Sequence, residues 1–275
     1  SMLCPHAAIR IKVMTEQQAQ EARDSGIIVV PMKTPELGQN MYFTLNISPA
    51  DCTGCNVCVK NCPVKALAMM PMKDAAENQK AFDASVKLPD FPKDKLNLNI
   101  PKHVELLPHY FEFPGACAGC GETPYIKMLA HLFGDRMVVA NATGCSSIYG
   151  ANLPTTPWAC DANGRGPAWS NSLFEDNAEY GLGMRLALNQ KRNTLKSLLF
   201  ELNIPYVEDL FAETNPEKQR EIENDLRNKL EKIDSPKAAF ARSLIGEIVD
   251  KSVWIIGGDG WAYDIGYGGV DHILH

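Results

Sequence analysis

The twelve residues from Cys52 to Pro63 constrain this chain more than any other feature. They spell Cys-x2-Cys-x2-Cys-x3-Cys-Pro, with thiols at Cys52, Cys55, Cys58 and Cys62. Two-residue gaps let one tight loop aim three thiolates at three irons of a cubane. The fourth thiol, behind which Pro63 starts a helix, points elsewhere; where two such runs pair, it serves the other cluster. The run therefore predicts [4Fe-4S] ligation. Zinc is the rival ion, but zinc ribbons usually join two distant Cys-x-x-Cys knuckles.

The chain holds nine cysteines, an odd number clustered at short gaps. Its start shows no basic region followed by a long apolar stretch. Such cysteines read as metal sites in a reducing, cytoplasmic compartment rather than a secreted disulfide framework. The net charge of −6 argues against a nucleic-acid partner, which selects a basic excess. No apolar run approaches the roughly 18 residues of a membrane span. With 45% hydrophobic and 22% charged residues, the 275-residue chain has the means to bury one or two cores.

Cys4-Pro5-His6 repeats the ending of the Cys52 block. It looks like the tail of a second run whose first three cysteines precede Ser1, so the chain is expected to be part of a longer polypeptide. Cys4 would then complete the set Cys52, Cys55 and Cys58, leaving Cys62 to a second cluster. The alternative is that Cys4 is simply a buried thiol.

Ile27–Pro31 and Met41–Ile47 read as short strands, and the proline-interrupted stretch Lys87–Lys102 as a linker. Glu122–Leu132 has helical spacing with Pro124 in its first turn. Met137–Ala140 and Val253–Ile256 are apolar runs of buried-strand type. Phe174–Leu202, Pro216–Ile233 and Ala238–Val249 read as helices, and Asn141–Ser172 as a long loop of the kind that is usually functional. Alternating helices and short strands predict an α/β layer sandwich for the second half.

A second cysteine set comprises Cys117, Cys120 and Cys145. Alone, Cys117-Ala-Gly-Cys120 fits a redox dithiol, zinc or a cluster. Three thiols at strand and helix ends favour a shared metal or cluster, with Cys160 available as a fourth ligand or as a free thiol. Gly258-Asp259-Gly260 follows an apolar strand. The glycines permit a sharp turn and close backbone approach to a ligand. The carboxylate suits Mg2+, which commonly shares its shell with phosphates. Asp259 is expected at the carboxyl end of its strand, where open α/β sheets bind ligands.

The runs Gly115–Tyr125, Ala140–Gly150, Gly164–Asn177 and Gly257–His272 closely resemble the pyruvate:ferredoxin (flavodoxin) oxidoreductases, large thiamine-diphosphate enzymes of anaerobic metabolism. The resemblance spares only the stretches near Glu16–Gln39, Asp74–Lys102 and Asn193–Ser235. It implies an α+β ferredoxin-like iron–sulfur domain over residues 1–86, truncated at its N-terminus, and a linker over 87–106. An α/β thiamine-diphosphate-binding domain, truncated at its C-terminus, would follow over 107–275. It makes Cys117, Cys120 and Cys145 ligands of the cluster nearest the thiamine, and gives Cys160 no role. It places Glu122 and the Cys145 segment against thiamine diphosphate. Gly258, Asp259, Gly260 and Trp261 become the diphosphate and Mg2+ loop, with Asp259 the metal ligand. The implied partners are pyruvate, coenzyme A and ferredoxin or flavodoxin, in a homodimeric parent enzyme. The pyruvate-binding domains and remaining Mg2+ ligands have no counterpart among these residues, so the chain alone is expected to be inactive. A related 2-oxoacid oxidoreductase, a plain electron-transfer module and a zinc-binding interaction protein are the competing readings. A carrier needs no Gly-Asp-Gly turn, which separates it from the enzyme.

Overall fold

The computed structural model describes residues 1–152, 154–264 and 266–275. Its packing forms two compact units: Ser1–Asp135 with Tyr149–Pro167, and Arg136–Ile148 with Ala168–His275.

In the first unit, strand β1 (Ile9–Met14) leads into helix α1 (Glu16–Asp24). The helix starts at Thr15, whose side chain accepts from the Gln18 amide while Gln18 answers to the Thr15 backbone, a capping box. Strands β2 (Val30–Pro31) and β3 (Tyr42–Ile47) complete an antiparallel sheet of order β1-β3-β2, with Ile9 opposite Ile47 and Met14 opposite Tyr42. Neither β1 nor α1 stood out in the sequence. Arg10 and Lys12 interrupt the apolar pattern of β1, yet both are buried. Arg10 pairs with Glu112, and Lys12 reaches Asp90 at 2.5 Å and the Leu88 carbonyl at 3.0 Å. Residues around Pro89 therefore cover the sheet, and Phe91 joins Val13 and Leu106 in a small core.

Helix α2 (Val57–Lys60) is a single turn within the cysteine block. Helices α3 (Ala76–Val86), α4 (Pro101–Val104) and α5 (Thr123–Phe133) follow. The segment Tyr149–Pro167 joins this unit through a bridge between Phe111 and Trp158 and a Glu112 N–H bond to the Pro157 carbonyl (2.8 Å). The Phe111 ring packs edge-on against Trp158 and Tyr149.

The second unit is built on strand β4 (Met137–Asn141), which leads to helix α6 (Cys145–Gly150). Strand β5 (Ala168–Asn171), helix α7 (Asn177–Glu201), helices α8 (Val207–Ala212), α9 (Pro216–Glu231) and α10 (Pro236–Leu244), strand β6 (Ser252–Ile256) and helix α11 (Val270–Leu274) follow. The sheet is parallel, in order β5-β4-β6; Asn141 pairs with Asn171 on one side and Ile256 on the other. The expectation of a structureless Asn141–Ser172 loop is thus corrected: α6 and the short edge strand β5 lie within it. Four residues among glycine, proline and asparagine gave β5 too little periodicity to read.

Asn215 and Ser235 cap α9 and α10, each followed by proline in the first turn. These helices and the last turns of α7 bury Leu195, Leu199, Leu226, Leu230 and Ile245 in a core of their own. Among the described residues, no helix is long and apolar enough to cross a membrane.

Candidate iron–sulfur and cofactor sites

The cysteine block leaves β3 through a tethered corner. Ser48, fully buried, donates to Asp51 Oδ2 (2.5 Å), and Gln79 of α3 accepts from the Ala50 amide (3.0 Å). The loop then curls through left-handed backbone at Gly54 (φ 69°) and Asn56 (φ 65°). Asn accepts that region more readily than most residues, which lets the chain turn twice within six positions. Across the sheet end, the Cys4–Ala8 turn is held by Ser48 N–H on the Ala8 carbonyl (2.8 Å) and Phe113 N–H on the His6 carbonyl (3.1 Å).

These two supports bring Cys4, Cys52, Cys55 and Cys58 onto the wall of one cavity of about 340 Å³. That is room for a small cofactor. Four cysteines and no Asp, Glu, Lys or Arg line it, a donor set suited to an iron–sulfur cluster. Burial pushes the Cys58 thiol up, and the neighbouring thiolates of Cys4, Cys52 and Cys55 add to that cost. Bound iron reverses this penalty by supplying positive charge. Cys62 is absent from that wall. It lines a second cavity, to which Cys4 and Cys58 also contribute. Its thiol is held low by backbone amides, chiefly that of Ala66 at 3.3 Å. All nine cysteines are free thiols. Among the described residues, no three His, Cys, Asp or Glu side chains converge as a single metal ion requires. A cubane's thiolates each meet a different iron and stand further apart.

Cys117 and Cys120 belong to the first unit, where the Cys120 amide closes a turn on the Cys117 carbonyl (3.0 Å). Gly119 between them has φ 77°, and a Cβ there would lie 3.5 Å from the Cys55 Cβ. The Cys117–Cys120 turn therefore lies close beside the Cys52–Cys62 loop. Glu122, half-buried, opens α5 in the same unit. Cys145 is in the second unit, exposed at the start of α6. Cys160 is exposed in the first.

In the second unit, the carboxyl ends of the parallel strands carry a polar network that the sequence did not single out. Asn141, at the end of β4, donates to Ser146 Oγ (2.8 Å) and the Ala142 carbonyl (2.9 Å), and accepts from Trp169 Nε1 (2.9 Å). Asn177, opening α7, donates to the Ala140 and Ile256 carbonyls (both 3.2 Å) and accepts from Ser172 (2.7 Å). Both asparagines are fully buried, so they fix the strand ends rather than offer free groups. The one signal was their position: each borders an apolar element within a matching run. Asp259 sits three residues beyond β6, exposed on this same edge, where open α/β sheets take ligands. Gly257 packs so closely on buried Trp261 that a Cβ would fall 2.3 Å from its ring. Beyond Gly258, a π-helical turn covers Gly260–Asp264. Of the matching run 257–272, residue 265 lies outside the described residues.

Together the cysteine-walled cavity and its loop define an iron–sulfur protein, and a 4Fe-4S binding domain model matches residues 45–68. Along its whole length the chain is also similar to much longer enzymes. It is 46% identical over 291 residues to the pyruvate-flavodoxin oxidoreductase of Rhodospirillum rubrum, covering 99% of this chain and 24% of that protein. The corresponding enzyme of Trichormus variabilis is 46% identical over 297 residues (99% and 25%). The pyruvate:ferredoxin oxidoreductase of Moorella thermoacetica is 39% identical over 295 residues (100% and 25%). The chain belongs to the pyruvate-flavodoxin/ferredoxin oxidoreductase family, and spans about a quarter of these relatives' length.

Proposed function

We propose that this chain supplies part of the electron path and part of the cofactor site of an enzyme that oxidises pyruvate with coenzyme A to acetyl-CoA and CO2. Electrons would pass singly through [4Fe-4S] clusters to ferredoxin or flavodoxin. On this reading residues 1–86 form the cluster-bearing domain and 107–275 the thiamine-diphosphate domain, joined by 87–106, in a homodimeric cytoplasmic parent. Thiamine diphosphate, when bound, supplies the carbanion-stabilising chemistry of decarboxylation. The chain's own residues bind and orient. Asp259 offers a carboxylate to Mg2+, and Gly258 and Gly260 let backbone approach the diphosphate. Trp261, packed on Gly257, holds that turn against the sheet. Glu122 and the Cys145 segment contact the cofactor. Cys4, Cys52, Cys55 and Cys58 hold one cluster. Cys117, Cys120 and Cys145 keep the ligand roles that resemblance gives them.

The observation that carries this reading is the exposed Asp259 turn at the carboxyl edge of a parallel sheet. A plain electron carrier has no use for it. In the full-length enzyme, Asp259→Ala should abolish thiamine-diphosphate retention and pyruvate oxidation while iron content is unchanged. Loss of iron with normal thiamine binding would sink the assignment.

A further inference from the structure

The cavity walled by Cys4, Cys52, Cys55 and Cys58 has an apolar part of its lining that no ligand role explains. It is made by Leu67, Met69, Met70 and Met72 in the run Ala66-Leu-Ala-Met-Met-Pro-Met72. Single exposed apolar side chains are ordinary. Here three methionines within four positions are 48%, 51% and 67% exposed, and all three also line the one cavity. They stand at the boundary between the cavity and water. The segment is held in place: Pro71 restricts the backbone ahead of a 3-10 turn over Met72–Asp74, and Asn78 of α3 donates to the Met70 sulfur (3.9 Å). The Met69 methyl lies 4.0 Å from where a Cβ on Gly54 would sit, so it reaches the cysteine loop itself.

We propose that Met69, Met70 and Met72 are the apolar wall that keeps water from the cluster in this cavity and thereby sets its reduction potential. The proposal rests on the reading that the cavity holds a [4Fe-4S] cluster. Reduction adds a negative charge to the cluster. Water and polar groups stabilise that charge, so a dry wall holds the potential down and a wet one raises it. Methionine suits the position because its unbranched thioether fills irregular space without bringing a charge or a strong donor.

The test reconstitutes the chain anaerobically and compares four forms: unsubstituted, Met69→Ser/Met70→Ser, Met69→Leu/Met70→Leu, and Val64→Ser. Val64 is 78% exposed in the same block but does not line the cavity. The midpoint potential is followed by titration with electron paramagnetic resonance, and iron release by a ferrous chelator. The serine pair should move the midpoint to more positive potential and release iron several-fold faster. The leucine pair and Val64→Ser should match the unsubstituted chain. If the serine pair cannot retain iron, Met70→Ser alone should show the same direction of shift. Unchanged potential and release in a serine variant that holds its full cluster would overturn the proposal. Failure of the unsubstituted chain to hold any cluster would overturn the underlying reading, and the proposal with it.

Discussion

Glu105, Lys127 and His131 form a buried titratable group in the first unit, with half-buried His109 beside it. Lys127 Nζ lies 3.1 Å from Glu105 Oε1, with side chains 2% and 3% exposed. Burial alone would raise the Glu105 carboxyl, but the charge of Lys127 outweighs it and holds it low. The His109 and His131 rings meet edge-on at 4.4 Å, and His131 Nδ1 lies 2.9 Å from the Pro108 carbonyl. Burial pushes both imidazoles below their ordinary value, His109 the further, and the nearby charges of Arg10 and Lys127 add to it. The folded chain therefore keeps them neutral where the unfolded chain takes up protons, near pH 6.5. Stability is fully present above that value and is lost as pH falls from there toward the lowered folded values. Urea midpoints should fall between about pH 7.5 and about pH 5.5, either side of the ordinary imidazole value. His109→Phe should flatten that fall; an equal fall in the variant would show that His109 does not drive it.

At the scale of elements, Gly181 lets α7 approach the parallel sheet closely. A Cβ at Gly181 would lie 2.4 Å from Ile255 Cγ1 and 3.3 Å from Ala140 Cβ. Two residues on, a Cβ at Gly183 would meet nothing within 4 Å. Gly181→Ala should therefore cost about 1–3 kcal/mol by overpacking. Gly183→Ala should gain up to about 1 kcal/mol by helix propensity. Thermal unfolding of the two variants checks the contrast, and equal effects would refute the close approach of α7. The same helix shows what the sequence makes legible. Its extent, like that of α5, β4 and β6, follows from local sequence pattern, and that of α9 also from its Asn215 cap. Strands β1 and β5 do not: Arg10 and Lys12 look like surface residues until Glu112 and Asp90, remote in sequence, cover them. The site divides likewise. The thiols and the Gly-Asp-Gly turn carry their own spacing. Asn141, Asn177 and the methionine wall gain meaning only when chain folding brings their partners near, since a buried asparagine and an exposed one read the same.

For the whole molecule, the family match covers about a quarter of each longer relative. Supplied with pyruvate, thiamine diphosphate, Mg2+, coenzyme A and a viologen dye, the 275-residue chain should release no CO2 above a protein-free control. Turnover would show that the matched quarter suffices for the proposed reaction. On the proposed reading, the chain closes one cubane with Cys4, Cys52, Cys55 and Cys58. Iron and sulfide are to be counted after anaerobic reconstitution of the unsubstituted chain, Cys4→Ser and Cys62→Ser. The unsubstituted chain and Cys62→Ser should each hold about four irons, the content of one [4Fe-4S] cluster, and Cys4→Ser should lose most of them. The reverse pattern, with iron lost from Cys62→Ser and kept in Cys4→Ser, would show that Cys62 closes the cluster and would contradict the account.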